Sequence, residues 1–452
     1  MFPLSRARVQ ADACHAYQIV KANGIPESNI ILMMQDDVAN AAENPFPGQL
    51  FNKPTVAGTP GVDVYAGCAA DYTGTIVTAA LWQAVITGDS AAVANMTAGY
   101  TAGKTSTKVL KSTQTSKVFL NFVDHGGVGI IAFPNGPFLQ AKSLQASLAT
   151  MKTKSMYDQL VFYVEACESG SMFASFPTDN SVYVTTAANA KESSWGTYCP
   201  PLDMVDGKHL KSCLGDLYSV NWMEDSQKQV VAQQHGAQPR RLGAPREEHD
   251  AASVAETLEA QYQKVKVLTN KSHVMEFGDQ SFSSASIAEF QGVADAVSSP
   301  GVASSDLTAE DTAAETDLKL RSAVAVPDIP LHTAYYAYLQ ASAGTEEARV
   351  AAQRLSAVVD ERESSARTMR AVAQRLVGAA RADTVLAGAA NPGVVLRDGA
   401  CHRAALESYA TSCRAWSDYS QTVYSRAVVA MCEATALDAS PIVAAFSAEC
   451  RA

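Results

Sequence analysis

Residues 161–171 constrain this chain more than any other stretch, reading Val-Phe-Tyr-Val-Glu-Ala-Cys-Glu-Ser-Gly-Ser. Four apolar or aromatic β-formers stop at Glu165, and two residues later a cysteine precedes a Ser-Gly-Ser turn signal. The Cys167 thiol is therefore expected at the end of a strand, where open α/β sheets gather their binding loops. A second run, Val118 to Val123, is equally apolar and ends in Asp124-His125-Gly126-Gly127. If the two strands are parallel neighbours, His125 lies beside Cys167 and raises its thiolate fraction. The glycines leave room for the backbone N–H groups of Gly126 and Cys167 to face an oxyanion. A single cysteine in an apolar run is ordinarily inert core; two strand ends bearing His and Cys together make a chemical reading.

The rest of the N-terminal part alternates helix and strand signals, which defines an α/β fold. Gln10 to Ala22 is apolar at helical spacing and stops at Asn23-Gly24, and Asn29 to Met34 follows as a strand. Residues 39–74 are rich in Pro, Gly and Asn and read as a long ordered loop. Helices are expected over Thr78 to Thr87, Leu144 to Lys152 and Ala251 to Val265, with strands over Gly129 to Phe133 and Ser181 to Thr186. Gln227 to Asp250 reads as a solvated insertion that includes Pro239-Arg240-Arg241.

A chain of 452 residues calls for more than one domain, and its formal charge of −11 argues against nucleic acid or an anionic membrane as partner. No apolar run reaches the length of a membrane span. Four of the nine cysteines (Cys401, Cys413, Cys432, Cys450) crowd the last 52 residues and two (Cys199, Cys213) bracket a proline-containing loop, a clustering that suits disulfides and an oxidising compartment. Asn95-Met96-Thr97 and Asn270-Lys271-Ser272 are glycosylation sequons at Asn95 and Asn270. Nothing in the sequence asks for a metal or other cofactor.

These motifs carry a family resemblance. The two strand-end blocks, with Ala11-Asp12-Ala13-Cys14-His15-Ala16-Tyr17-Gln18, Met33-Met34-Gln35-Asp36-Asp37, Thr185-Thr186-Ala187-Ala188-Asn189 and Asn221-Trp222-Met223-Glu224-Asp225, resemble legumain, the asparaginyl endopeptidase or vacuolar processing enzyme. The segments 193–200 and 213–219 resemble the plant type. The resemblance implies a caspase-like, mostly parallel sheet flanked by helices over residues 1–292, an acidic flexible activation linker over 293–330, and a helical, disulfide-braced prodomain over 331–452. It implies Cys167 as nucleophile and His125 as base, and an asparagine pocket in which Arg8 donates and Glu165 and Asp216 accept, walled by Ser193 and Ser194. It also implies bridges Cys401 to Cys432, Cys413 to Cys450 and Cys199 to Cys213. Protein or peptide substrates with accessible Asn, cystatin-type inhibitors, and a vacuolar, lysosomal or secreted location follow from it as well.

Three departures bear on that reading. Met1 to Arg6 shows no signal peptide, and the hydrophobic strand with which legumains begin is missing ahead of the first helix, as expected of a truncated chain. Arg6 stands where legumains carry the asparagine that orients the histidine, and Val9 where they have a histidine. The linker, with seven acidic and two basic residues, has no asparagine, so its activation cuts are expected after Asp306, Asp311, Asp317 or Asp328. Two rival readings remain: a catalytically inactive relic acting as a binding or structural protein, and a glycosylphosphatidylinositol transamidase subunit. The second calls for a membrane segment after the protease domain, where this chain has a cysteine-braced bundle.

Overall fold

The apolar runs around the histidine and cysteine become adjacent strands of one sheet. The structure, a computed structural model, describes residues 6–55, 59–236, 256–292, 309–387, 396, 399–413 and 418–450. The N-terminal part runs α1 (Ala7–Ala22), β1 (Met33–Met34), β2 (Tyr72–Thr73), α2 (Ala79–Ile86), α3 (Ser90–Thr97) and β3 (Lys117–Val123). A meander of β4 (Gly126–Gly127), β5 (Ile130–Ile131) and β6 (Leu139–Gln140) leads to α4 (Ala141–Thr153) and β7 (Gln159–Glu165). Then come β8 (Val182–Thr186), β9 (Trp195–Thr197), the hairpin of β10 (Met204–Val205) and β11 (Lys208–His209), β12 (Gly215–Asp216), α5 (Leu217–Gly236), α6 (Leu258–Leu268), β13 (Met275–Gly278) and α7 (Ala288–Gln291).

The central sheet has the order β13-β8-β7-β3, with β3, β7 and β8 parallel and β13 antiparallel at one edge. Strand β7 is buried on both faces: Leu160, Phe162, Val164 and Ala166 enter the core beneath α4, while Val161 and Tyr163 pack on the other side with Trp222 of α5. Parallel strands covered on both faces read as continuous apolar runs, which is why both were visible in the sequence. Helix α2 starts where the Thr78 hydroxyl accepts from Leu81 N at 3.2 Å, and α6 where the Thr257 hydroxyl accepts from Ala260 N at 3.1 Å. The helix expected from Ala251 thus begins at Leu258, with 251–255 outside the described residues. Asn95 is exposed on α3, and Asn270 is exposed in the turn after α6.

The strand expected over Asn29 to Met34 is mostly not one. Glu27–Asn29 is a 3-10 turn, and only Met33 and Met34 pair, in parallel, with β2. Among the described residues no strand flanks β1 or β3 on the side where they face each other, and a strand with one neighbour ladders poorly.

The linker differs from its expectation too. From Ala309 it is ordered as α8 (Ala309–Arg321), β14 (Val324–Ala325) and a turn into α9 (Ile329–Gln340). Lys319 is buried against Glu224 at 2.7 Å, and Leu318 packs on the cluster containing Phe51 and Tyr198. Acidic composition hid this because a few well-placed contacts, not the average polarity, dock the helix. The C-terminal bundle comprises α10 (Glu346–Val377), α11 (Ala379–Ala387), α12 (Gly399–Ser412), α13 (Asp418–Ala434) and α14 (Ser440–Cys450), with Met369, Val372 and Ala373 buried.

The expected bridges Cys401–Cys432, Cys413–Cys450 and Cys199–Cys213 are all present. A fourth, Cys14–Cys68, went unanticipated; it ties α1 to the loop before β2 across 54 residues of chain. By loop-closure entropy it stabilises the fold by about 4 kcal/mol. Cys68→Ser should lower unfolding stability by that amount in denaturant titration, and an unchanged midpoint would contradict the estimate.

Candidate active site

Strands β3 and β7 pair in parallel with Val123 opposite Glu165, and Asp124 N donates to the Glu165 carbonyl at 3.2 Å. Two residues beyond that register, His125 and Cys167 leave the sheet at the same level. Both are buried, and Cys167 is the cysteine that joins none of the four disulfides. The start of β4, directly after His125, needs glycine: a Cβ on Gly126 would come within 2.2 Å of the Cys167 carbonyl oxygen. The two loop backbones are therefore in direct apposition. Past the cysteine, Glu168 adopts a left-handed φ of 48°, strained for a residue with a side chain, which turns the chain sharply into the 3-10 helix Ser169–Phe173. The Ser194 hydroxyl lies 3.6 Å from Cys167 Sγ.

Alternation along β7 sends Glu165 to the same face as Cys167, where α1 and the start of α5 meet it. Glu165 Oε2 accepts from both the backbone N and the hydroxyl of Ser219, each at 3.0 Å, in the first turn of α5. That helix N-terminus holds the carboxylate from below. Arg8, buried at the start of α1, donates from Nε to Asp216 Oδ1 at 2.9 Å. One turn on, Asp12 accepts from Asp216 N at 3.1 Å and from Asn52 Nδ2 at 2.6 Å. The expected pocket residues Arg8, Glu165 and Asp216 thus share one buried cluster; Ser194 closes it toward Cys167, and half-buried Ser193 stands next to it. Burial, reinforced by the charge of Asp216, pushes the carboxyl groups of Glu165 and Asp12 well above the usual range. Three buried carboxylates facing one guanidinium leave a site that is acidic overall and polar inside apolar walls.

Asp12 and Asn52 escaped the sequence reading. The signal for Asp12 was its spacing: four residues after Arg8, it lies on the same helix face. Arg6, by contrast, turns to an ion pair with Asp37, which also accepts from Gln10 Nε2 at 2.7 Å.

The C-terminal part covers this site. β14 runs antiparallel along β9, Val326 N donates to the Ser194 carbonyl at 3.0 Å, and Val326 packs in one apolar cluster with Cys167. An extended segment is thus hydrogen-bonded beside Ser194 and packed next to Cys167. From above, Val128 N donates to Ser425 Oγ of α13 at 3.4 Å, and Arg426 forms an ion pair with Glu168. Burial raises the Glu168 carboxyl to about 8, against the opposing pull of Arg426. Of the expected activation residues, Asp317 sits on α8 paired with Arg321 at 2.7 Å, and exposed Asp328 meets Arg362 at 3.1 Å. Asp311 lies in α8, and Asp306 lies outside the described residues.

Comparison with known proteins agrees with this arrangement in both halves. The peptidase C13 family profile matches residues 5–238 and 244–293, and the legumain prodomain profile matches residues 353–450. Bovine (Bos taurus) legumain is 37% identical over 414 residues, covering 90% of this chain and 81% of its own. The Ricinus communis vacuolar-processing enzyme is 35% identical over 421 residues, covering 91% and 76%. Mouse (Mus musculus) legumain is 45% identical over 293 residues, 65% of this chain and 58% of its own length.

Proposed function

The chain belongs to the peptidase C13 family, the legumains, which are cysteine-type endopeptidases, and we propose that it is a zymogen whose active form cleaves after asparagine. The observation that carries this reading is the position of His125 and Cys167 at one level of two paired parallel strands, with Arg8, Glu165 and Asp216 gathered beside them. The Cys167 thiolate attacks the scissile carbonyl, the oxyanion accepts from the Gly126 and Cys167 N–H groups, and His125 gives its proton to the leaving amine. The thioester that remains is resolved by water, or by an incoming amine that makes a new peptide bond. Arg8 donates to the asparagine side-chain carbonyl, while Glu165 and Asp216 accept from its amide nitrogen. Aspartate enters when protonated, because its anion would face those two carboxylates. Incubating the purified chain from pH 4 to pH 7, then sequencing the new termini and assaying an Asn-containing peptide, tests this. Efficient self-cleavage at neutral pH, or cleavage after residues other than Asn and Asp, would overturn it.

Acid should act in opposite directions on the two halves. His402, buried in α12 against the Ser425 carbonyl, has its pKa lowered by burial to about 4, whereas in an open chain it is about 6.5. The unfolded bundle therefore binds the proton better, and the bundle's own stability, complete above about pH 6.5, is lost as pH falls toward 4. For Glu165 and Asp12 the folded pKa is raised, so their contribution is present in acid and lost as pH rises. An acidic vacuolar or lysosomal compartment suits both signs. His402→Leu should retain the lid in acid by about 3 kcal/mol at pH 4, read as a lower pH midpoint for activation. An unmoved midpoint would remove His402 from the mechanism.

A further inference from the structure

Asn52 lies in the long loop between β1 and β2, yet its side chain is buried beside the pocket cluster. Its flanks pin it there: Phe51 packs with Leu214 and Val220, and Lys53 pairs with Glu224 of α5 at 3.7 Å. The side-chain amide then joins three pieces of chain. Nδ2 donates to Asp12 Oδ1 on α1 at 2.6 Å and to the Leu214 carbonyl ahead of β12 at 3.0 Å, while Oδ1 faces His15 Nδ1 at 2.7 Å. A main-chain carbonyl only accepts, so the NH2 must point at Leu214 and Asp12, and His15 must carry a proton on Nδ1. A charged ring carries that proton too, so the bond persists in acid.

Asp12 completes the connection. Its other oxygen, Oδ2, accepts from Asp216 N at 3.1 Å, and Asp216 Oδ1 in turn accepts from Arg8 Nε at 2.9 Å. Both side chains press on the main chain between them: a Cβ on Gly215 would come within 2.7 Å of Asn52 Nδ2 and 2.9 Å of Asp12 Oδ1. Strand β12 has two residues and, among the described strands, is bonded to β9 alone. So short an edge strand does not fix its own position; the side chains of Asn52 and Asp12 supply what a second neighbouring strand would.

We propose that Asn52 is a positioning residue for substrate specificity, locking α1 to β12 so that Arg8 and Asp216 keep one geometry toward an asparagine side chain. The inference rests on the asparagine pocket proposed above. Arg8 and Asp216 stand 208 residues apart and must present a donor and an acceptor to one planar amide. A misplacement of about 1 Å in such a group costs about 100-fold in rate, and the groups that prevent it are those packed and bonded behind it. Asn52 acts through Asp12 and the main chain of Leu214 to Asp216, so its loss falls on recognition of asparagine and leaves the reactivity of Cys167 in place.

The test compares the acid-activated parent with Asn52→Ala and with Cys68→Ser, which frees a different anchor of α1. In Asn52→Ala, kcat/KM for an Asn-containing peptide should fall about 100-fold, and the ratio of Asn to Ala cleavage should fall with it. Methyl methanethiosulfonate, which needs only a thiolate, should modify Cys167 at the parent's rate. Cys68→Ser should keep the parent's ratio although it is less stable. In the intact full chain, labelled at arginine Nε and assigned with Arg8→Lys, the Arg8 Nε–H should exchange with water at least about tenfold faster in Asn52→Ala than in the parent. Asn52→Ser is read in the same ways if the alanine variant does not fold. An unchanged ratio, an unchanged Arg8 exchange rate, an equal loss of Cys167 reactivity, or the same fall in ratio in Cys68→Ser would each overturn the proposal. A parent that turns over no Asn peptide once its lid is released would count against the pocket reading instead, and the Arg8 exchange rate would still decide whether Asn52 holds that side chain in place.

Discussion

Cys167→Ala should remove cleavage of an Asn-containing peptide by about 10⁶-fold in kcat, because a nucleophile and its base act as a unit and losing one forfeits what both supply. The fold should survive. Cys167 is buried but joins no disulfide, and the Ser194 hydroxyl is 3.6 Å from its sulfur, at the edge of what a thiol can bond. The substitution therefore removes one atom and opens no more than a small void. Turnover by the acid-activated variant and parent decides it, with thermal unfolding as the control for folding. Activity within tenfold of the parent would exclude Cys167 as nucleophile. A parent chain that folds, releases its lid and still turns nothing over would instead favour the inactive relic, with Arg6 standing in place of the orienting asparagine.

Arg8→Lys should cut kcat/KM for an Asn substrate by about 10⁴-fold, since a site built around buried hydrogen-bonding groups rejects whatever leaves them unpaired. The guanidinium is fixed by its Nε bond to Asp216, which leaves its remaining N–H groups directed by a rigid fork. A lysine keeps the positive charge but supplies no fork. Keeping the charge matters for the control: Asp12, Glu165 and Asp216 are all buried around this position, and Arg8→Ala would strand them at a cost of about 3–5 kcal/mol. Lysine should therefore lose selectivity while preserving most of the stability. An unchanged ratio of Asn to Ala cleavage would show that Arg8 does not read the substrate side chain.

The sequence by itself determined what depends on neighbouring residues. Strand β7 and its alternation put Glu165 and Cys167 on one face, the apolar run before His125 made a second strand, and the expected helix over Gln10 to Ala22 is the body of α1. Period and turn chemistry are local properties, so they survive in a single chain read without partners. The bridges Cys401–Cys432 and Cys413–Cys450 came from resemblance, since spacing alone leaves three pairings open. Tertiary structure decided which distant groups meet. Arg8 and Asp216 are 208 residues apart, and Arg426 reaches Glu168 across 258. Cys14 finds Cys68, and β14 lies along β9 although its acidic surroundings read as a free linker. The same holds for the order β13-β8-β7-β3: a strand's own residues specify that it forms, whereas its neighbours are set by how the sheet closes around it.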